Sequence, residues 1–264
     1  MNKLTVSEIW IYPVKSLGGI RVHTAKVLPK GLAYDRRWML IDSHNKFMTQ
    51  RIYPEMALFK LSYDSGDFFI RHSGQSIHLP FSSGNNTLSA EIWNDRAEVH
   101  EVSRQHSAWF SKILGMDCRL VSFPENNSRP VDPVFSINNN HVSLADAYPL
   151  LVIGQSSLDD LNRRLEEPLP INRFRPNIVF SGGEPYEEDN WKNFRIGQNR
   201  FAAVKSCSRC ILTTVNQDTG KKGMEPLATL SAYRMRDNKV YFGQNLIPLD
   251  HTEIMEGNEI TLDS

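Results

Sequence analysis

Apolar and polar side chains alternate along much of this chain, in short runs broken by turn-forming residues. LTVSEIWIYPV (residues 4–14) alternates and ends at Pro13, which predicts a strand. VHTAKVL (22–28) and RRWMLIDS (36–43) follow, the second running into a turn at SHNK. DFFIRH (67–72) and QSIHLP (75–80) flank SGQ and read as a hairpin. A second hairpin is expected in AEIWNDRAEVHEV (90–102), with its turn at Asn94 and Asp95. YPLLVIG (148–154) is the longest apolar run and has the length of a buried strand. The pattern predicts a mainly β protein with a few helices, an α+β chain built on a barrel or sandwich-like sheet.

Three segments carry helical spacing instead. Residues 103–114 set Trp109, Phe110, Ile113 and Leu114 along one side and meet Gly115, a stop signal. Ser156 or Ser157 is placed to cap a helix whose stripe is Leu158, Leu161 and Leu165. EPLATLSAYRM has Pro226 near its start and Leu227, Leu230 and Arg234 at helical spacing. FPENNSRPVDPVFSINNN (123–140) is polar, holds three prolines and has no period. It reads as a connection or loop between an N-terminal β unit, residues 1–122, and a C-terminal unit, residues 123–264.

Composition narrows the function classes. Lys+Arg and Asp+Glu are both 30, so the formal charge is zero. That balance gives no electrostatic basis for broad binding to nucleic acid or an anionic membrane. No run approaches the ~18 apolar residues of a membrane-spanning helix, and the first residues lack the apolar core of a signal peptide. With three cysteines, these features predict free thiols in a reducing, cytoplasmic compartment.

Two of those thiols stand in SCSRCILTTVNQDTG, residues 206–220. A zinc site would need further Cys or His ligands at close spacing, and the remaining Cys118 is alone while the eight histidines are scattered. An iron–sulfur cluster normally takes four thiolates, more than the chain holds. A thioredoxin-like pair would open a helix, yet Ile211–Val215 is a β-forming run that sets Cys210 at the start of a strand. The residues alone leave two readings open: a buried pair beside a strand, or a perch for one reactive thiolate. Cys118, just beyond the first helix, reads as a core residue. Basic residues recur near strand ends: Lys15 with Ser16 in YPVKSLGG, Arg36 in AYDRRW, Arg175 with Asn177 in FRPNIVF, and Arg209 between the thiols. Lys, Arg and Ser in such settings suit phosphate recognition, although any one of them alone reads rather as a solvated charge or a local salt bridge. There is no Walker loop and no GxGxxG, so nucleotide binding has no support.

IYPVKSLGG, GLAYDRRWMLID and MTQRIYPEMALF together resemble the N-terminal β-barrel unit that precedes MOSC domains. INRFRPNIVFSGGEPYEEDNW, SCSRCILTTVNQDTG and EPLATLSAYR resemble the MOSC domain itself. Within that family the chain resembles the mitochondrial amidoxime reducing component and its bacterial relatives, and the similarity covers nearly all of it. The resemblance implies a molybdenum cofactor, a molybdopterin whose metal is bonded by one protein thiolate. Residue by residue, Cys210 falls on the metal-ligand and catalytic position, and Cys207 on a cysteine that the family does not use as ligand. Lys15, Ser16, Arg36, Arg175, Asn177 and Ser208 fall on positions that hold the cofactor, and Asp146, Ala147 and Tyr148 on a segment lying against it. Glu184 stands where the amidoxime-reducing relatives carry an aspartate near the substrate opening, and is carried over as a second catalytic candidate. A soft thiolate suits molybdenum, and three cations suit a nearly dianionic phosphate.

The function implied is reduction of N-hydroxylated small molecules: amidoximes, hydroxylamines and N-hydroxylated bases. Electrons would come from a separate protein of ferredoxin, flavodoxin or cytochrome type, since the chain lacks the four-cysteine cluster motif fused to some bacterial relatives. The alternatives are a sulfur carrier using a Cys210 persulfide, a non-catalytic carrier of the cofactor, and a binding module that has lost it.

Overall fold

A computed structural model describes residues 3–82 and 84–263. The chain is mainly β, with three α-helices among the described residues. Its central sheet has nine strands drawn from both ends of the sequence. Thr5–Ile11 lies between Ile20–Val22 and Ile178–Ser181, antiparallel to both. The sheet then continues through Leu150–Gly154, Lys239–Pro248, Asn199–Arg209, Asn193–Ile196 and Ile260–Leu262, with Met235–Arg236 on the side of Lys239–Pro248. Leu150–Gly154 and Ile178–Ser181 run parallel, joined through the helix Gln155–Asn162, as a parallel crossover requires.

This sheet closes on itself. Thr5 bridges Glu259, the Ile260 N–H donates to Leu4 O at 2.9 Å, and the Gly257 N–H donates to Val6 O at 2.8 Å. Closure pairs groups that would otherwise form an open edge. It also makes the first strand part of the same sheet as the C-terminal half. One contiguous core correspondingly packs Leu17, Phe59 and Phe110 with Ile178, Phe180 and Phe201. The N-terminal and C-terminal segments therefore share their interior.

Thr24–Leu28 joins Gly31–Leu32 and Glu253–Met255 in a small sheet, and the rest of the N-terminal segment forms two more small sheets and a helix. Trp38–Asp42, Cys118–Ser122, Asp95–Glu101 and Thr87–Ile92 make a four-stranded sheet, and Lys60–Asp64, Asp67–His72 and Gln75–Leu79 a three-stranded one. In the latter, Ser73 and Gly74 both have positive φ (46° and 78°), the geometry a two-residue hairpin loop favours. The helix Arg104–Leu114 is capped by Ser103, whose hydroxyl accepts from the His106 N–H, and ends at Gly115 in the left-handed region. Phe110 on its inner face is fully buried.

Three local expectations need correction. The second hairpin turns at Trp93 and Asn94, because Asp95 already pairs with Ile92; Trp93 takes φ 56° at the tip. The helix Gln155–Asn162 is capped by Gly154. Ser157 lies inside it, donating to Glu188 Oε2 at 2.9 Å and accepting from the Tyr186 N–H at 2.7 Å, and Leu165 lies beyond its end. Cys210 stands at the end of Asn199–Arg209, and Ile211–Thr214 form a 3₁₀ turn. There the Thr213 and Thr214 hydroxyls donate to the carbonyls of Cys210 and Ile211 at 3.0 and 2.8 Å. This local satisfaction overrides the β propensity of the run. No helix among the described residues is long and apolar enough to cross a membrane.

Candidate cofactor-binding site

A cavity of about 580 Å³ opens where the end of the first strand, the 144–148 segment, the turn before Ile178 and the end of Asn199–Arg209 converge. Lys15, Ser16, Arg36, Asp146, Ala147, Tyr148, Arg175, Asn177, Ser208 and Cys210 all line it. Glu184 does not. It is an exposed residue of the turn before the short helix Glu187–Asn190, with its N–H donating to Glu187 Oε2 at 2.9 Å. No catalytic role is assigned to it here.

Three residues of this site carry strained backbone. Ser16, Arg36 and Arg175 have φ of 65°, 51° and 56°, a region that costs a non-glycine residue roughly 1–2 kcal/mol. Hydrogen bonds hold each of them there. The Gln50 side chain donates to Ser16 O at 2.8 Å and is itself paired with Gln217. Asp35, fully buried, accepts the Tyr12 N–H at 2.8 Å and Arg36 Nη1–H at 2.6 Å. Asn177 accepts from Arg36 Nη1 at 3.2 Å and from the Leu151 N–H, and donates to Trp10 O, so one buried amide ties the arginine to two strands. Arg175 donates to Leu17 O at 2.6 Å.

The site also gathers charge. Lys15 is buried and donates to Leu144 O at 2.7 Å and Asp146 Oδ1 at 2.5 Å. Burial pushes its ammonium down to about 8, against the opposing pull of Asp146. Burial likewise pushes Arg175 down to about 10. Partial desolvation works against ionisation of the half-exposed Asp146, but Lys15 and Arg51 outweigh it and hold the carboxyl well below the usual carboxylate range. Burial raises the Tyr148 phenol to about 12, aided by Asp132 and Cys207, so it stays a neutral donor. Arg129, buried outside the cavity, donates to Ser143 O and Ala145 O and pairs with Asp95 at 2.8 Å. It pins the 144–148 segment to the Trp93 hairpin.

The two thiols have separate partners. Arg51 Nε–H donates to Cys210 Sγ at 3.1 Å, and Arg209 Nη1–H to Cys207 Sγ at 2.9 Å. All three cysteines are free. Among the described residues no cluster of three or more His, Cys, Asp or Glu stands ready for a metal ion, so a metal here would rest on one thiolate and on ligands brought with it. Buried cations whose charge the surroundings oppose call for an anion, and a single soft donor beside them suits molybdenum. The residues present fit a phosphate-bearing molybdenum cofactor. Arg51 and Trp93 belong to this site and carry no chemical signal in the sequence, although Arg51 lies within MTQRIYPEMALF.

A model of the MOSC N-terminal beta barrel domain matches residues 3–117, and a model of the MOSC domain matches residues 139–261. The chain is 35% identical to mitochondrial amidoxime reducing component 2 of Bos taurus, across 88% of this chain and 73% of that one. It is 34% identical to mitochondrial amidoxime-reducing component 1 of Homo sapiens, across 98% and 82%. It is also 33% identical to the molybdenum cofactor sulfurase of Oryza sativa subsp. japonica over 99% of its own length, which spans only 34% of that protein. MOSC proteins are associated with molybdenum-cofactor binding. With both domain models matched and these relatives covered over most of its length, the chain belongs to the MOSC family.

Proposed function

We propose that the chain is a molybdenum-cofactor-dependent reductase of N-hydroxylated small molecules, fed by electrons from a separate donor protein. One observation carries the reading: the Cys210 thiol lines a cavity whose other walls supply three cations from three distant segments, Lys15, Arg36 and Arg175. Neither a structural thiol nor a simple sulfur carrier calls for that charge. Two relatives named as amidoxime reducing components support the substrate class.

In this reading Cys210 is the metal ligand. Lys15, Arg36 and Arg175 neutralise the phosphate, Asn177 fixes Arg36, and Asp146, Ala147, Tyr148 and Ser208 shape the walls. When bound, the cofactor supplies two-electron chemistry that cleaves an N–O bond, turning an amidoxime, two electrons and two protons into an amidine and water. The chain binds, orients and partly screens the reactants from water. The neutral Tyr148 phenol is a hydrogen-bond donor on the cavity wall. Electrons enter from a ferredoxin, flavodoxin or cytochrome-type donor.

The match to a plant molybdenum cofactor sulfurase over nearly the whole chain favours one second reading, a sulfur carrier with a Cys210 persulfide. Protein from a cofactor-producing host separates the two. Turnover of an aromatic amidoxime with chemically reduced viologen, and none with NADH alone, supports the reductase. Cyanide-releasable sulfur at Cys210 without turnover supports the carrier.

A further inference from the structure

We infer that Arg51 is the positioning residue for the Cys210 sulfur, an inference that rests on Cys210 being the metal-binding thiolate. Its guanidinium is fixed on every side. Nε–H donates to Cys210 Sγ at 3.1 Å, Nη2–H to Asp146 Oδ2 at 2.8 Å, and Nη1–H to Thr49 Oγ1 at 3.2 Å. One face lies over the Trp93 ring, 4.6 Å from its centroid, and Trp93 Nε1–H donates to Asp146 Oδ1 at 3.3 Å. The backbone is tied as well, since Lys222 Nζ donates to Arg51 O at 2.7 Å.

Cys210 needs such a brace. It stands past the last ladder pair of Asn199–Arg209 with extended φ and ψ (−127° and 176°), where the backbone alone admits more than one χ1 rotamer. A planar fork can hold the sulfur along one direction while its other edge is anchored to a carboxylate. A lysine ammonium is a point charge that offers no such plane. Arg51, Asp146 and Trp93 come from three separate segments, so the sulfur is aimed only when the Arg51 loop, the 144–148 segment and the Trp93 hairpin assemble around the strand end. Hydrogen-bond partners of this kind typically change metal affinity by about 10- to 100-fold.

The test uses cofactor-free protein labelled with ¹³Cβ-cysteine, in which each of the three thiols gives its own NMR signal, alongside loaded protein analysed for molybdenum. In Arg51→Gln the Cys210 signal moves or splits, while those of Cys207 and Cys118 stay in place. Loaded Arg51→Gln loses molybdenum on dialysis about tenfold faster than wild type, and Arg51→Lys restores the retention only in part. A Cys210 signal unmoved in Arg51→Gln overturns the inference, whatever the metal content. Wild-type protein without molybdenum, together with a moved Cys210 signal, overturns the metal reading and leaves the positioning contact standing.

Discussion

Arg36 and Arg175 both lie over the ring of Tyr12, their guanidinium carbons 4.4 and 4.2 Å from its centroid. Both cations lie within cation–π range of one ring, whose negative faces attract each of them. Tyr12 is fully buried and its hydroxyl has no protein partner. The ring therefore anchors both arginines. Lys15, three residues further on, adds a third cation to the same wall.

This ring predicts a sensitive glycine. A Cβ on Gly19 would lie 2.5 Å from Tyr12 Cε1 and 2.8 Å from Cδ1, and that ring is fully buried beside two guanidiniums. Gly19→Ala is expected to lower stability by about 1–3 kcal/mol, as overpacking does, and to lower pterin content as well. Thermal melting and pterin fluorescence measure the two. Wild-type values for both would show that the ring is free to shift.

Lys15 makes the site sensitive to pH. Its folded value of about 8 lies below the ordinary 10.5, so between those values the unfolded chain holds a proton that the folded chain has released. Stability thus gains with rising pH across that window, while attraction for anions weakens. Affinity of cofactor-free protein for sulfate, whose charge is constant, is expected to fall about tenfold from pH 7 to 9.5. Isothermal titration measures it, and Lys15→Gln should be weak and flat across the range. A flat wild-type profile would contradict the assignment.

Cys207 and Cys210 are predicted to stay reduced. Three extended residues span about 10 Å, against a Cα separation below about 7 Å for a disulfide, and a guanidinium holds each sulfur separately. Cofactor-free protein kept in air should show both thiols individually alkylated in peptide mass mapping. A linked 207–210 peptide would show that the end of the strand can rearrange.

Much of this site was legible as motifs. Lys15, Ser16, Arg36, Arg175, Asn177 and Cys210 each lie in a short run of characteristic residues, and the folded chain gathers all of them on one cavity. Arg51 and Trp93 were not legible, because their meaning is non-local. Arg51 meets Cys210 across 159 residues, and Trp93 meets Asp146 across 53. A tryptophan at positive φ gives no turn signal, so the hairpin was expected one residue late. Ile211–Thr214 misled for the opposite reason: four β-formers in a row describe a strand unless their own hydroxyls close the carbonyls first. Glu184 shows the limit of matching by position, since it occupies the expected place in the sequence and lies off the cavity wall.

The most direct test of the central claim is molybdenum and pterin content by mass spectrometry, on protein from a cofactor-producing host, for wild type, Cys207→Ser and Cys210→Ser. The account predicts near-stoichiometric molybdenum in wild type and Cys207→Ser, and its loss in Cys210→Ser. Wild-type protein carrying neither metal nor pterin would contradict the account and turn attention to persulfide chemistry at Cys210.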